Sequence, residues 1–301
     1  MTTAVLFLAR GEGNGLAAAE AFFESYRAHP AGRAHELVVI VKGWDGAAGR
    51  EIVEARARGL GATVLEVPDD GLDWGAYMRV APRLGHDWLC FLNTHSRICA
   101  DGWLAALRTA AGQPGVGAAG ATGSWGTNTP VFRFLAPTVA DYWRRKGAVK
   151  ALTAALRLYV LRYPWHSLRE AFRKGGRFPG FPNPHLRSNG FLVRRALFTA
   201  FIEHQPIPAG KRDALMLECG DAGFTRFLAA QGLRAVVAGA DGRAYEAEHW
   251  PESRTHCVPD RSNLLVSDNR TRAYEAAAPF SRRDMERAVW GRTFTPWRAG
   301  P

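Results

Sequence analysis

The feature that most constrains this chain is the alternation, over its first 120 residues, of short continuous apolar runs with charged amphipathic stretches. Ala4–Ala9, Glu36–Val41, Thr63–Val67 and His86–Leu92 read as strands, and Leu16–Ala28, Ala47–Leu60 and Asp73–Leu84 as the helices between them. A strand that is apolar at nearly every position, instead of every second one, is buried on both faces. Right-handed crossovers then bring the carboxyl ends of such strands to one sheet edge, where ligands bind. The pattern predicts an α/β fold: a mostly parallel, Rossmann-like sheet flanked by helices.

A helix at Asp101–Ala111 and a small-residue strand at Gly115–Ala121 continue the alternation, which Asn128–Gly180 then breaks. It resumes with Gly190–Phe201, a helix from Asp221 to Gln231 and a strand at Arg234–Ala238. Beyond Trp250 the chain is polar and ends in an amphipathic helix, Arg282–Val289. Residues 1–130 and 183–301 read as two halves of one integrated domain, with 131–182 an insertion.

Composition excludes several classes. With 47% hydrophobic and 22% charged residues the chain is neither disordered nor fibrous. No uncharged apolar stretch of about 18 residues is present, so no spanning helix is expected. No basic region precedes the first apolar run, so no signal peptide is expected either. Cys90, Cys99, Cys219 and Cys257 form no Cys-X-X-Cys pair and read as thiols in a reducing compartment. The expected location is the cytoplasm, at the inner face of the membrane if the basic segment described below binds lipid.

Polar residues recur at the strand ends: Arg10, Asp45, Asp69, Asp70, Asp73 and Asn93. Carboxylates there suit ribose hydroxyls or a base edge, although loop acids are also solvated turn formers or helix caps, and Asp73 sits where a helix cap would. The turn Gly11-Glu-Gly-Asn-Gly15 allows backbone amides to approach a phosphate. It lacks the third glycine of the dinucleotide fingerprint, so a plain strand-to-helix turn explains it as well.

The stretch from Leu65 through Asp73-Trp-Gly75 to Asp87-Trp-Leu-Cys-Phe-Leu-Asn93 resembles the nucleotide-binding half of GT-A-fold glycosyltransferases. Further segments resemble bacterial glycosyltransferase-like proteins of the surface polysaccharide type: Phe91–Ile98, Gly120–Trp125, Asn183–Asn189, Trp250–Thr255 and Asn263–Thr271. The resemblance spans most of the chain outside 140–178. It implies transfer of a sugar from a nucleotide-sugar donor to a hydroxyl of a glycan or lipid-linked acceptor, with inversion as the default.

In that frame Asp45, Asp73 and Gly75 seat the nucleoside, and Asn93 and His95 face the diphosphate. His185 and Arg187 contact diphosphate or sugar. Glu218 is the general base, with Asp221 beside it, just before a helix starting near Ala222. Where the family places Asp-X-Asp, this chain has Asn93-Thr94-His95. Neither end carries the hard carboxylate that Mg2+ or Mn2+ prefers. The resemblance therefore implies at most weak dependence on Mn2+ or Mg2+ through His95, with no other cofactor. Arg10, Lys42, Arg97 and Lys211 are the candidate cations for the leaving group. His249, His256 and Asp268 share no metal-ligand spacing, and isolated histidines of this kind read as structural.

Of the net charge of +11, nine come from residues 144–177, which hold ten Lys or Arg against Glu170 alone. Val149, Leu152, Leu156, Tyr159, Val160 and Tyr163 recur there at helical spacing. A basic amphipathic helix of this kind suits an anionic membrane surface or an anionic acceptor, and equally a core-facing helix with a solvated basic face. No nucleic-acid-binding signature accompanies it. Two other functions stay open: a catalytically inactive glycan- or nucleotide-binding scaffold, and an NAD(P)-dependent oxidoreductase resting on the Gly-rich turn.

Overall fold

A computed structural model of the protein describes residues 1–129, 135–156, 165 and 176–296. The first strands are β1 (Thr3–Arg10), β2 (Glu36–Lys42), β3 (Thr63–Glu66) and β4 (Trp88–Leu92), separated by α1 (Gly15–Ala28), α2 (Ala47–Arg58) and α3 (Leu72–Val80). After the short β5 (Arg97–Ile98) come α4 (Trp103–Ala111), β6 (Val116–Gly120) and β7 (Gly123–Ser124). The helices α5 (Leu135–Lys146) and α6 (Ala148–Ala155) follow in the chain. The second half supplies β8 (His185–Leu186), β9 (Phe191–Arg194), α7 (Arg195–Ile202), α8 (Lys211–Cys219) and α9 (Phe224–Ala230). It continues with β10 (Arg234–Ala238), β11 (Ala244–Tyr245), β12 (Val266–Ser267), α10 (Asn269–Ala276) and α11 (Pro279–Trp290).

Eight strands form one sheet in the order β11-β10-β6-β9-β4-β1-β2-β3. β1 pairs in parallel with both β2 and β4, β2 with β3, and β6 with β10. β9 runs antiparallel between β4 and β6, and β11 antiparallel to β10. This is the mostly parallel α/β sheet flanked by helices that the apolar runs predicted. The period of two decides the core: Ala4, Leu6 and Leu8 enter one apolar cluster, while Val5, Phe7 and Ala9 enter the other, on the opposite face.

From β1 the chain winds outward to β3, then returns to β4 on the other side of β1. That reversal creates a crevice at the carboxyl ends of β1 and β4, the place where open α/β sheets bind ligands.

Several sequence expectations are corrected. The cap position of α3 is Gly71, with φ 68°, and Asp73 lies inside the first turn. The segment from Lys211 is not a loop before a helix: it is α8, with Ala214 and Leu217 buried three residues apart and Glu218 in its last turn. Gly220 and Gly223 interrupt the helical run, so α9 begins at Phe224 and not near Ala222. The tail holds a second helix, α10, whose start is fixed by Asp268 in a capping box with Thr271. Among the described residues no helix is long and apolar enough to cross a membrane. Of the basic amphipathic stretch, Val149, Leu152 and Leu156 are described; Tyr159, Val160 and Tyr163 lie outside the described residues.

Candidate functional site

A cavity of about 940 Å³ opens at the crevice between the ends of β1 and β4. Arg10 and the β1–α1 turn, the first turn of α3, and Asn93 to His95 after β4 form its sheet side. His185, Arg187, Ser188, α8 and the start of α10 close the other side, together with Met285, Ala288 and Val289 of α11.

Of the residues expected at a site, Arg10, Asp73, Asn93, His95, His185, Arg187 and Glu218 meet in this one cavity. Lys211 lines it as well, from the start of α8. Asp45, Gly75 and Asp221 do not. Asp45 is exposed in the turn before α2. Gly75 is buried in α3, where a Cβ would lie 2.7 Å from the Asp70 carbonyl oxygen, so its absence of a side chain serves helix packing. Asp221 is exposed, and its backbone N–H donates to Arg177 O at 2.8 Å. Lys42 is buried and donates to the carbonyls of Asp70 and Leu72 at 2.7 and 2.8 Å, which holds the α3 turn in place instead of facing the cavity. Arg97 is exposed on β5, away from the cavity.

Local chemistry fixes each lining side chain. Arg10 donates from Nε to Asp69 at 2.9 Å and pairs with Glu12. Asn93 Oδ1 accepts from His95 N at 3.0 Å, so the carboxamide is committed to the turn that presents His95. Asn189 Oδ1 braces this turn, accepting from Asn93 N at 2.9 Å and from Ser96 Oγ at 2.5 Å. His185 Nδ1 lies 2.8 Å from the Asn183 carbonyl, which must accept; the proton therefore sits on Nδ1 and Nε2 keeps its lone pair. Burial pushes His185 down to about 4, so the ring is neutral at physiological pH. His95 is held below the ordinary imidazole value by burial and by Arg272.

The site is charged on both signs. Arg187 donates to Asp268 Oδ2 at 2.7 Å, with side chains 13% and 1% exposed, so the pair is largely withdrawn from water. Burial alone would raise the Asp268 carboxyl, but the Arg187 charge, its hydrogen bond and the Thr271 N–H outweigh it and hold the group ionised. Burial raises Asp73 to about 6, and the Glu218 charge adds to the rise. Glu218 is itself raised by burial, against the pull of Arg187 and hydrogen bonds with Ser188. Two carboxyl groups raised by burial and interacting within one cavity mark it as a candidate functional site, and a carboxylate so raised is suited to act as a general base.

His256 and Asp268, neither of which the sequence singles out as a site residue, both line the cavity. The signal for Asp268 was local: Asp268-Asn-Arg-Thr271 is a helix-start sequence. His256 carries no sequence signal, because it reaches the site through a chain reversal. Packing accounts for Gly11 and Gly15 of the Gly-rich turn: a Cβ at Gly11 would meet Gly43 O at 2.5 Å and Trp44 at 2.7 Å, and one at Gly15 would run into the Arg10 carbonyl oxygen, whereas Gly13, with φ 60°, has open space around it and lines the cavity. Among the described residues no group of three or more His, Cys, Asp or Glu is placed to hold a metal ion. With Asn93 Oδ1 committed to its turn, the Asn93-Thr94-His95 segment does not fit a hard-metal site.

No family model matches the chain, and no curated protein matches it. Among solved structures it is similar to a mannosyltransferase from Pyrobaculum calidifontis in complex with GDP-Man and Mn2+, with 15% identity over 84% of this chain and 59% of that one (TM-score 0.43). It is also similar to glucosyl-3-phosphoglycerate synthase from Mycobacterium tuberculosis in complex with Mn2+, UDP and glucosyl-3-phosphoglycerate, with 19% identity over 65% of this chain and 57% of that one (TM-score 0.36). The chain spans less than two thirds of the length of either protein. These values describe a remote likeness of fold, and the case for the site rests on its own residues.

Proposed function

We propose that the protein is a glycosyltransferase that moves a sugar from a nucleotide-sugar donor to a hydroxyl group of a glycan or lipid-linked acceptor, with inversion. The observation that carries this reading is the convergence of Arg10, Asp73, His95, Arg187, Lys211 and Glu218 on one cavity at the switch point of the sheet. A cavity of about 940 Å³ accommodates a nucleoside diphosphate sugar with room for part of an acceptor.

In this reading Asp73 accepts hydrogen bonds from the nucleoside at the crevice. Glu218 removes the acceptor proton as the hydroxyl oxygen bonds to the anomeric carbon and the nucleoside diphosphate leaves with its electron pair. The leaving diphosphate gains negative charge. Arg10, Arg187, Lys211 and Arg270 line the cavity and are the cations suited to receive it. His185, neutral with Nε2 as an acceptor, suits a sugar hydroxyl.

A thermal-shift panel of UDP-, GDP-, TDP- and CMP-type ligands tests donor binding, and at 100-fold the dissociation constant a true ligand stabilises by about 2.7 kcal/mol. Stabilisation by none of them removes the reading. Glu218→Gln should abolish transfer with donor-induced stabilisation intact; full activity in that variant removes the base assignment. Donor binding with no turnover in any acceptor extract would instead favour an inactive binding scaffold, for which the Asn93-Thr94-His95 segment is the supporting observation.

A further inference from the structure

We infer that the α5–α6 face is a docking surface for an anionic phospholipid bilayer, and that a buried ion cluster couples this face to the wall of the cavity. Seven large hydrophobic side chains are exposed among the described residues, and four lie on α5, on α6 or at its C-terminal end: Trp143, Val149, Leu152 and Leu156. Val149, Leu152 and Leu156 are 75%, 70% and 52% exposed. At 3.6 residues per turn their side chains fall within roughly 60° of arc on α6 and its C-terminal extension. Ala151, well round the helix from this stripe, is buried, and α6 packs chiefly against α5. One side of α6 is thus covered, and its bulkier apolar side is left in water.

The charge around this stripe identifies its occupant. Arg145, Lys146 and Lys150 are exposed beside it, within the segment that carries ten basic residues against one acid. A second protein surface would meet the apolar stripe but would need a dense acidic rim to match these cations. An anionic bilayer supplies both at once, with acyl chains for Val149, Leu152 and Leu156, phosphates for the cations, and an interfacial layer for Trp143.

The docking face is tied to the site. Asp141 of α5, whose side chain is 2% exposed, accepts from Arg283 Nε at 3.0 Å and pairs with Arg287, both on α11, and with Arg144. The same α11 presents Met285, Ala288 and Val289 to the cavity. Burial alone would raise the Asp141 carboxyl, and the Arg287 and Arg283 hydrogen bonds outweigh it, so the cluster stays ionised. A bilayer held by α5–α6 therefore lies next to the part of the cavity that α11 walls. On the proposed transfer reading, this selects a lipid-linked acceptor.

Sedimentation with phosphatidylcholine vesicles containing one-third phosphatidylglycerol tests the inference on the full chain. Binding is expected to these vesicles and to be lost on pure phosphatidylcholine. Val149→Glu/Leu152→Glu should reduce the bound fraction at least tenfold, and Lys146→Glu/Lys150→Glu should do so at low salt. The surface positions of these residues leave the fold intact, as an unchanged melting temperature would verify. Equal binding of wild type and Val149→Glu/Leu152→Glu overturns the inference, as does wild-type binding to neither vesicle. Light scattering provides a third readout: a dimer that dissociates in the Val149→Glu/Leu152→Glu variant assigns the face to self-association and likewise overturns it. Nucleotide-induced stabilisation is read separately, so failure of the membrane inference and failure of the transfer reading are distinguishable.

Discussion

Replacing Asp73 with Asn should stabilise the protein at neutral pH while impairing its function. Asp73 sits in the first turn of α3, partly buried at the cavity, and burial followed by the Glu218 charge raises its carboxyl from the ordinary 3.8 to about 6. A folded-state value above the unfolded one favours the folded protein only while the group is protonated. That contribution is present below pH 3.8 and is lost as pH rises through about 6. Above that pH the ionised group costs the fold about 3 kcal/mol, at about 1.4 kcal/mol per pH unit. The helix N-terminus favours the anion by about 0.3–1 kcal/mol, too little to reverse the sign, so a net cost of about 2–3 kcal/mol remains.

Asn removes that ionisation at nearly the same volume. For 301 residues the entropy of unfolding is on the order of 0.6 kcal/mol per kelvin, so the melting temperature at pH 7.5 should rise by about 3–5 °C. At pH 4, where Asp73 is largely protonated, the gain should fall to near zero. In a Glu218→Gln background it should shrink, because the second contribution to the rise is gone. Calorimetric melts of the four proteins at pH 4 and 7.5 measure all three effects. Equal or lower stability of Asp73→Asn at pH 7.5, or the same gain at pH 4, would refute the assignment of a buried, electrically coupled carboxylate pair. Loss of donor binding in the stabilised variant would mark Asp73 as a functional group kept at a cost in stability.

Two other substitutions test the frame of the site. Asp268→Asn leaves the Arg187 charge without its anion in a largely dry setting and should cost about 2–4 kcal/mol at pH 7 by chemical denaturation. Because the Asp268 carboxyl is depressed in the folded state, its contribution exists above the ordinary carboxylate value and is lost as pH falls, so the gap to wild type should narrow below about pH 4. Gly75→Ala forces a Cβ against the Asp70 carbonyl oxygen, which would stand 2.7 Å away, and should cost about 1–3 kcal/mol with weaker donor binding as the Asp73 turn moves.

The sheet was legible in the sequence because its signal is local. Val5, Phe7 and Ala9 against Leu6 and Leu8 must serve two faces, and only a doubly covered strand permits that. The strand-end residues Arg10 and Asn93–His95 followed from the same argument, since a parallel sheet sends its carboxyl ends to one edge. The helical stretch at 211–219 was harder to read, because it is short and ends between two glycines that resemble a loop. Asp45, expected at the site as a strand-end acid, and Asp221, expected there from the family resemblance, are both exposed to water and do not line the cavity.

What the sequence alone determined is therefore the layered α/β core, a ligand edge at the carboxyl ends of its strands, and the concentration of positive charge in 144–177, whereas the strand order placed the crevice between β1 and β4. Only the tertiary structure decided which acids face one another. Asp73, Glu218 and Asp268 are far apart along the chain and acquire their interacting titrations when α3, α8 and the start of α10 exclude water from a shared cavity. Electrostatic coupling depends on distance and dielectric, and neither is set until the chain has closed around the site.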